Sequence, residues 1–189
     1  QRVKVEWRLG EDTPLETIAE EMSGQDSVCA IVNLRRHARQ IAGRLSALCP
    51  KDTVFYLTTD LCPAHRSKQI KRIRERLKNN LPCRVVATQC IEAGVDLDFR
   101  TMYRALAPLD AIIQAAGRCN RNGESDCCDV YILELGEERL SGLPEISKAC
   151  TSTRTVCTQC GFDDVLSPEA AGVFAHESFG HKSESDFML

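Results

Sequence analysis

The sequence predicts an α/β fold in which a doubly wound, mostly parallel sheet carries helices on both faces. Two short runs, residues 28–32 and 85–87, are continuously apolar, as in strands that are buried on both sides. Helical patterns alternate with such runs, most clearly between Leu34 and Leu48, where apolar residues recur at spacings of four and three. Alternating strands and helices are typical of a parallel sheet.

The first half of the chain supplies most of these elements. Residues 3–7 alternate and can form a strand, and Asp12-Thr13-Pro14 is a helix-start signal with proline at the first helical position. An apolar face then recurs in that helix at Leu15, Ile18, Ala19 and Met22. Residues 53–58 form the next predicted strand, followed by a helix with three inward residues, Ile70, Ile73 and Leu77.

In the second half, strands are predicted at residues 101–105 and 128–133, with a helix after Pro108 between them. Beyond Gly136 the periodicity weakens, and only one short helix, residues 167–174, is predicted before a frayed tail. We therefore expect a main domain over residues 1–135 and a C-terminal extension over residues 136–189.

Composition indicates one globular domain of ordinary size, with 189 residues of which 43% are hydrophobic and 27% charged. No apolar run approaches the length of a membrane span and no signal segment is present, so we expect a cytoplasmic protein without a membrane partner. The net charge of −3 is unevenly spread, because residues 65–84 hold eight of the 24 Lys and Arg residues and one acidic residue. That local basic character suits a phosphate backbone, although a solvated cationic helix face is the alternative.

Eleven cysteines in a chain without a secretion signal favour reduced thiols over a disulfide framework. Cys157, Cys160, His176 and His181 have the nominal spacing of a zinc site. The apolar residues between them do not follow a zinc finger's pattern, so no metal is expected.

A polar pattern marks the helix predicted after Pro108. Gln114, Arg118 and Arg121 recur at spacings of four and three, so on a continuous helix they share one face. The apolar residues of the segment fall on the opposite face: Leu109, Ile112, Ile113 and Ala116. Guanidiniums bind phosphate oxygens in bidentate fashion and stay charged at physiological pH, so the pair suits a transferring phosphoryl group. A solvated helix face is the alternative.

A second polar pattern follows the strand at residues 85–87. Thr88 and Gln89 stand where that strand gives way to a loop. Gly94 permits a positive φ or close backbone approach, and Asp96 is an acceptor just beyond it.

Together these two patterns resemble motifs V and VI of superfamily 2 helicases, with Gln114-x-x-Gly117-Arg118-x-x-Arg121 as motif VI. They are most similar to the second RecA-like domain of the type I CRISPR-associated helicases, the Cas3 family. That domain has similar T-Q-x-I-E, L-A-P-x-D and C-P-x-H-R motifs. The resemblance covers residues 27–135. Many relatives carry an arginine after the motif VI glutamine, where this chain has Ala115.

The resemblance implies a RecA-like fold and one half of an ATP-driven translocase. Arg118 and Arg121 would act as arginine fingers on ATP, alongside Gln114. Three further residues are implied nucleotide contacts: Gly94, Asp96 and Gly117.

The resemblance also implies a nucleic-acid interface. Thr88 and Gln89 would touch the tracking strand, and four residues would meet its phosphates: Asn33, Arg36, His65 and Arg66. For Asn33 and Arg36, a helix N-cap and a surface arginine are the alternatives.

The chain contains no G-x-x-x-x-G-K-[ST] phosphate cradle, so ATP and Mg²⁺ would be bound mainly by a first RecA-like domain, and the fragment alone would be inactive. The implied partners are that domain, single-stranded DNA and a CRISPR surveillance complex. Two alternatives stay open: another superfamily 2 enzyme, such as an RNA helicase or a restriction translocase, and a non-catalytic RecA-like binding module.

Overall fold

The structure is a computed structural model that describes residues 3–91, 97–119, 128–136, 138 and 142–160. The chain divides into two compact units. The first comprises residues 1–106 and 114–138, and the second comprises residues 107–113 and 139–189.

Six strands and five α-helices occur in the described residues. The strands are β1 (Val3–Thr13), β2 (Ser27–Ile31), β3 (Val54–Leu57), β4 (Cys83–Ala87), β5 (Thr101–Ala105) and β6 (Cys128–Leu135). The helices are α1 (Leu15–Ser23), α2 (Arg35–Leu48), α3 (Pro63–Lys78), α4 (Leu109–Ala116) and α5 (Pro144–Cys160). Short 3-10 turns cover Lys51–Thr53 and Gln89–Ile91.

All strand pairs of the sheet are parallel, in the order β1-β6-β5-β2-β4-β3. The chain builds β3 and β4 on one side of β2 and then crosses to β5 and β6 on the other side. This doubly wound order confirms the predicted fold class, and ligands of such sheets bind beyond the carboxyl ends of the strands.

Helices cover both faces of this sheet. On one face α1 and α2 pack against Val28, Ala30 and Val86 in a single apolar core, with Tyr56 of β3 at its margin. On the opposite side of the pleat Phe55 is buried, and the Arg72 guanidinium of α3 stacks over its ring at 5.4 Å from the centroid. Successive residues of a strand point to opposite faces, so each strand contributes to both cores.

Some predicted boundaries were wrong in detail. β1 extends to Thr13, well beyond residue 7, because it pairs along β6. Pro14 is the N-cap of α1 and not its first helical residue, so the helix begins one residue later than predicted. Leu48, predicted to lie on the buried face of α2, is 44% exposed because it ends the last turn of that helix.

Arg84, the second residue of β4, secures the end of α1. Its guanidinium donates to the carbonyls of Met22 (3.3 Å) and Ser23 (3.0 Å) and to the Thr53 hydroxyl (3.4 Å). Carbonyls in the last turn of a helix lack partners within the helix, and a cation suits that end of the helix dipole. Arg84 is buried, so it stabilises the fold and does not contribute to a basic surface.

In the second unit, α5 is a 17-residue helix over residues predicted to have little periodicity, so that prediction was wrong. Its buried residues nevertheless share one face: Cys150, Thr153, Val156 and Cys157. The face includes a threonine, whose hydroxyl donates to the Ala107 carbonyl at 2.9 Å. The helix predicted at residues 167–174 lies outside the described residues. None of the described helices is long and apolar enough to cross a membrane.

Candidate functional site

The predicted nucleic-acid residues follow three strands that are adjacent in the sheet, β2, β4 and β3. Ile31 and Leu57 both align with Ala87, so the three strands end level with one another. The ladder continues one residue further, through Val32 N–H to Ala87 O at 2.9 Å and Thr88 N–H to Leu57 O at 3.1 Å. The segments beyond this edge carry all six residues: Asn33, Arg36, His65, Arg66, Thr88 and Gln89.

Two helices begin at the same edge without the usual capping groups. The N-cap residues of α2 and α3 are Leu34 and Cys62, both extended and neither with a side-chain capping bond. No acidic residue lies in either first turn, and α3 has Pro63 at its start. Such helix ends present N–H groups to an anion, and Arg36 and Arg66 lie in these same turns.

An ionic cluster around Asp60 joins the two helix starts. The Asp60 carboxylate accepts hydrogen bonds from the Arg35 guanidinium, from Arg39 at 3.5 Å and from the Tyr56 hydroxyl at 3.2 Å. Partial desolvation acts to raise the pKa of Asp60, but the bonds from Arg35 and Tyr56 outweigh it and the pKa is lowered. The carboxylate is therefore charged at neutral pH and holds the β3–α3 loop against α2.

Asn33 does not lie on the surface of this edge. It is 6% exposed, its Nδ2 donates to the Leu106 carbonyl at 2.8 Å, and its Oδ1 accepts from Arg104 Nη1 at 2.9 Å. The N-cap alternative is wrong because Leu34, not Asn33, occupies the N-cap position of α2. The amide is buried and bridges β2 to β5, which favours an internal role over the predicted direct phosphate contact.

Thr88 is likewise buried, at 4% exposure, and its hydroxyl donates to Cys90 Sγ at 3.8 Å. Gln89 is half-buried at the start of a 3-10 turn. Of the motif V pair, Gln89 is thus the more accessible side chain. Gly94 and Asp96 lie outside the described residues.

The predicted single helical face of motif VI is wrong in part. α4 ends at Ala116, so Gln114 is exposed on the helix while Gly117 and Arg118 lie in a turn beyond it. The Arg118 N–H bonds to the Ala115 carbonyl at 3.0 Å, and the Arg118 carbonyl accepts from Phe99 N–H at 3.1 Å. The following residue forms a bridge with Phe99, which stops the helix. Arg121 lies outside the described residues.

Arg118 is consequently on the opposite edge of the sheet from the nucleic-acid residues. Phe99 precedes β5, so its partner Arg118 lies beside the amino end of that strand. Thr88 follows the carboxyl end of β4. Five strand residues at roughly 3.3 Å each separate the two edges by about 17 Å. Arg118 is therefore spatially distinct from the predicted nucleic-acid residues.

Two buried groups at the carboxyl edge were missed from the sequence. Arg104 is 0% exposed, and its Nη1 donates to the Asn33 side chain and to the carbonyls of Ile31 (3.4 Å) and Ala105 (2.9 Å). Glu138 is close to the same amide, and burial raises its pKa to about 7. A charged residue within the apolar strand at residues 101–105 was the available signal for Arg104.

The basic surface is narrower than the composition of residues 65–84 indicates. Arg76 pairs with Asp52 at 3.2 Å and bonds to the Pro82 carbonyl, and Arg84 is buried. The exposed cations of α3 define what we call the α3 cationic face: Lys68, Lys71, Arg72, Arg74 and Lys78.

The nine cysteines whose side chains the structure describes are free thiols. Burial raises the pKa of the Cys83 thiol to about 12, which makes it a poor nucleophile. No group of metal-binding side chains occurs among the described residues. Of the candidate zinc residues, Cys157 is buried in α5, and the side chains of Cys160, His176 and His181 are outside the description.

A family model decides the relationship of the chain to known proteins. The model described as "CRISPR-associated nuclease/helicase Cas3, C-terminal" matches residues 24–124, more than half of the chain. The chain belongs to the Cas3 C-terminal family. The resemblance seen in motifs V and VI is thereby confirmed.

Individual Cas3 proteins agree with this assignment. The chain is 40% identical over 104 residues to the CRISPR-associated nuclease/helicase Cas3 of Haloferax volcanii, an alignment that covers 53% of this chain and 11% of that protein. The crystal structure of T. fusca Cas3-ATP matches 96% of this chain and 24% of that chain, with a TM-score of 0.73 and 19% identity. The "CRISPR RNA-guided surveillance complex, pre-nicking" matches 98% of this chain and 25% of that chain, with a TM-score of 0.67 and 18% identity. At these identities the structural matches support the RecA-like fold, and the chain spans only a small part of each relative.

Proposed function

We propose that this chain is the second RecA-like domain of an ATP-dependent single-stranded DNA translocase that acts in CRISPR defence in the prokaryotic cytoplasm. The observation that carries the proposal is the edge formed by β2, β4 and β3, where two uncapped helix starts accompany Arg36, His65 and Arg66. Helix N-termini and guanidiniums are suited to a phosphate backbone, and Gln89 lies on the same edge.

The nucleotide is proposed to bind at the other edge. Arg118 and Arg121 would neutralise charge that develops on the γ-phosphate, with Gln114, Gly94, Asp96 and Gly117 as further contacts. ATP and Mg²⁺ would be held mainly by a first RecA-like domain, because the chain has no phosphate cradle of its own. In this proposal the DNA contacts and the nucleotide contacts lie on separate edges of one sheet. Closure of the two domains on ATP would then move the bound DNA strand.

We further propose that the whole protein is recruited by a CRISPR surveillance complex, as the matched structure of such a complex suggests. In that role it would act on the DNA strand displaced by the guide RNA. Asn33 has an internal role in this proposal, since its amide supports the corner between β2 and α2.

The test uses the full-length protein and separates the two edges. Arg118→Ala and Arg121→Ala should lower DNA-stimulated ATP turnover by about a thousandfold, the scale of a lost arginine finger, while DNA affinity stays near the parental value. Gln89→Ala and Arg36→Ala should weaken DNA binding and leave basal turnover in place.

Arg44→Ala serves as the matched control, because Arg44 is an exposed arginine of α2 that pairs with Glu20 at 3.3 Å and lies outside both proposed contacts. Parental ATP turnover by Arg118→Ala in the presence of single-stranded DNA would refute the arginine assignment. Turnover stimulated by RNA but not by DNA would instead favour an RNA helicase.

A further inference from the structure

Glu138 is a buried carboxyl at the edge proposed to bind nucleic acid. It follows the end of β6 by three residues. Its Oε1 is shielded from solvent and has no hydrogen-bond partner among the described residues. Burial raises the pKa to about 7, although a hydrogen bond with Asn33 and the charges of Arg104 and Arg36 act in the opposite direction. A carboxyl in this environment changes its charge near neutral pH.

Two guanidiniums of different accessibility act on the charge of this carboxyl. Arg104 is fully buried in β5, and a buried cation requires a counter-ion or strong hydrogen bonds. Arg36 lies in the first turn of α2, is exposed to solvent, and is close enough to act on the charge of Glu138. Asn33 lies between them, bonded to Arg104 at 2.9 Å. Glu138 is therefore placed to act as an internal counter-ion for Arg36, a guanidinium that can also reach an external anion.

A phosphate bound at this corner would compete with Glu138 for Arg36. The α2 N-terminus has no capping side chain and no acidic residue in its first turn, so the phosphate would also meet free N–H groups of the helix. A second negative charge nearby disfavours the ionised carboxyl. By linkage, a protonated carboxyl must favour the phosphate to the same extent.

We propose that Glu138 is an exchangeable counter-ion of the corner between β2 and α2, and that a nucleic-acid phosphate bound by Arg36 replaces it, with the ionised Glu138 carboxyl taking up a proton from solvent. This inference rests on the proposed role of the corner in DNA binding. The affinity for DNA would thus increase as the pH falls through neutrality. At higher pH, without DNA, Arg36 would be paired with the ionised Glu138.

Other groups at this edge can add their own pH dependence. The described residues that act on Glu138 are Asn33, Arg36 and Arg104, and the arginines stay charged throughout the neutral range. His37, next to Arg36, is buried in α2, while Glu137 and Arg139 lie outside the described residues. His65 is an ionisable side chain that lies exposed at the start of α3. The experiment therefore uses a His65→Gln background.

The test measures the Kd of the full-length protein for a fluorescent single-stranded oligonucleotide, without nucleotide and at constant salt, from pH 8.5 to 6.0. In the His65→Gln background the Kd should decrease as the pH falls, by up to about tenfold for each unit by which the bound phosphate raises the pKa of Glu138. Adding Glu138→Gln should give tight binding that is nearly independent of pH. Glu16→Gln, an exposed carboxyl of α1, should retain the parental pH dependence.

Calorimetry in two buffers of different ionisation enthalpy provides a second measurement that needs no Glu138 variant. Net proton uptake on DNA binding at pH 7 supports the exchange, and its absence overturns it. An undiminished pH dependence in Glu138→Gln also overturns it. Arg36→Ala separates this failure from a failure of the proposed function, because unchanged DNA affinity in that variant would mean that the corner does not bind DNA at all.

Discussion

Replacing Asn33 with alanine separates an internal role for this amide from a surface role. The substitution removes three hydrogen bonds in a site that is 6% exposed: one to the Leu106 carbonyl at 2.8 Å, one from Arg104 at 2.9 Å and one with Glu138. A buried hydrogen bond contributes about 1 kcal/mol, and groups deprived of a partner cost about 1–3 kcal/mol more, so we expect a destabilisation of about 2–4 kcal/mol. That is a large fraction of a typical domain's stability.

The assay is urea-induced unfolding followed by circular dichroism, together with DNA binding at a low temperature where the variant is folded. Arg36→Ala is the matched control, because Arg36 adjoins the same corner but is exposed. It should change the free energy of unfolding by less than about 0.5 kcal/mol and should weaken DNA binding. Asn33→Ala should lower the free energy of unfolding and leave DNA binding nearly unchanged. If Asn33→Ala is as stable as the parent but has lost DNA affinity, the amide is a direct contact and the reasoning from burial is refuted.

Three further predictions follow from the structure. Arg84→Met should lower stability by about 2–3 kcal/mol in urea, because two carbonyls at the end of α1 lose their donor, whereas Lys71→Met on the same measurement should change it by less than about 0.5 kcal/mol. If the α3 cationic face contacts phosphates, substituting Lys68, Lys71 and Lys78 with Gln should reduce the slope of log Kobs against log salt by about 0.7 per contact. The Arg44→Gln control should keep the full slope, and an equal loss of slope in that control would contradict the prediction. Calorimetry of this chain alone with ATP and Mg²⁺ should detect no micromolar binding, and a micromolar Kd would contradict the need for a first domain.

The predictable part of the fold depends on short-range patterns. Residues 85–87 of β4 are buried, as their continuous apolar run predicts, and the helical spacing between Leu34 and Leu48 locates α2. The order of motifs V and VI was sufficient to identify the family. A parallel sheet brings the ends of successive strands to one edge, so the gathering of His65, Arg66 and Gln89 there also followed from the sequence.

Helix ends and weakly patterned helices were less predictable. Spacing alone extends the motif VI helix through Arg118, but the bridge between Phe99 and Cys119 ends it at Ala116. α5 was missed because its buried face includes Thr153 and cysteines, which a search for strongly apolar periodicity passes over. In both cases contacts from elsewhere in the chain, or side chains with satisfied hydrogen bonds, override the local pattern.

The sequence by itself determined the fold class, the family and the strand ends from which a functional edge is built, because each depends on patterns within a few residues. The tertiary structure decided which of those side chains are available. The Asn33 side chain is hydrogen-bonded to Leu106 and Arg104, which lie more than 70 residues further along the chain. Only the folded sheet brings these strands together. The raised pKa of Glu138 also comes from the tertiary structure, because the fold buries this carboxyl near Asn33 and Arg104. In the sequence Glu138 cannot be told from a surface glutamate.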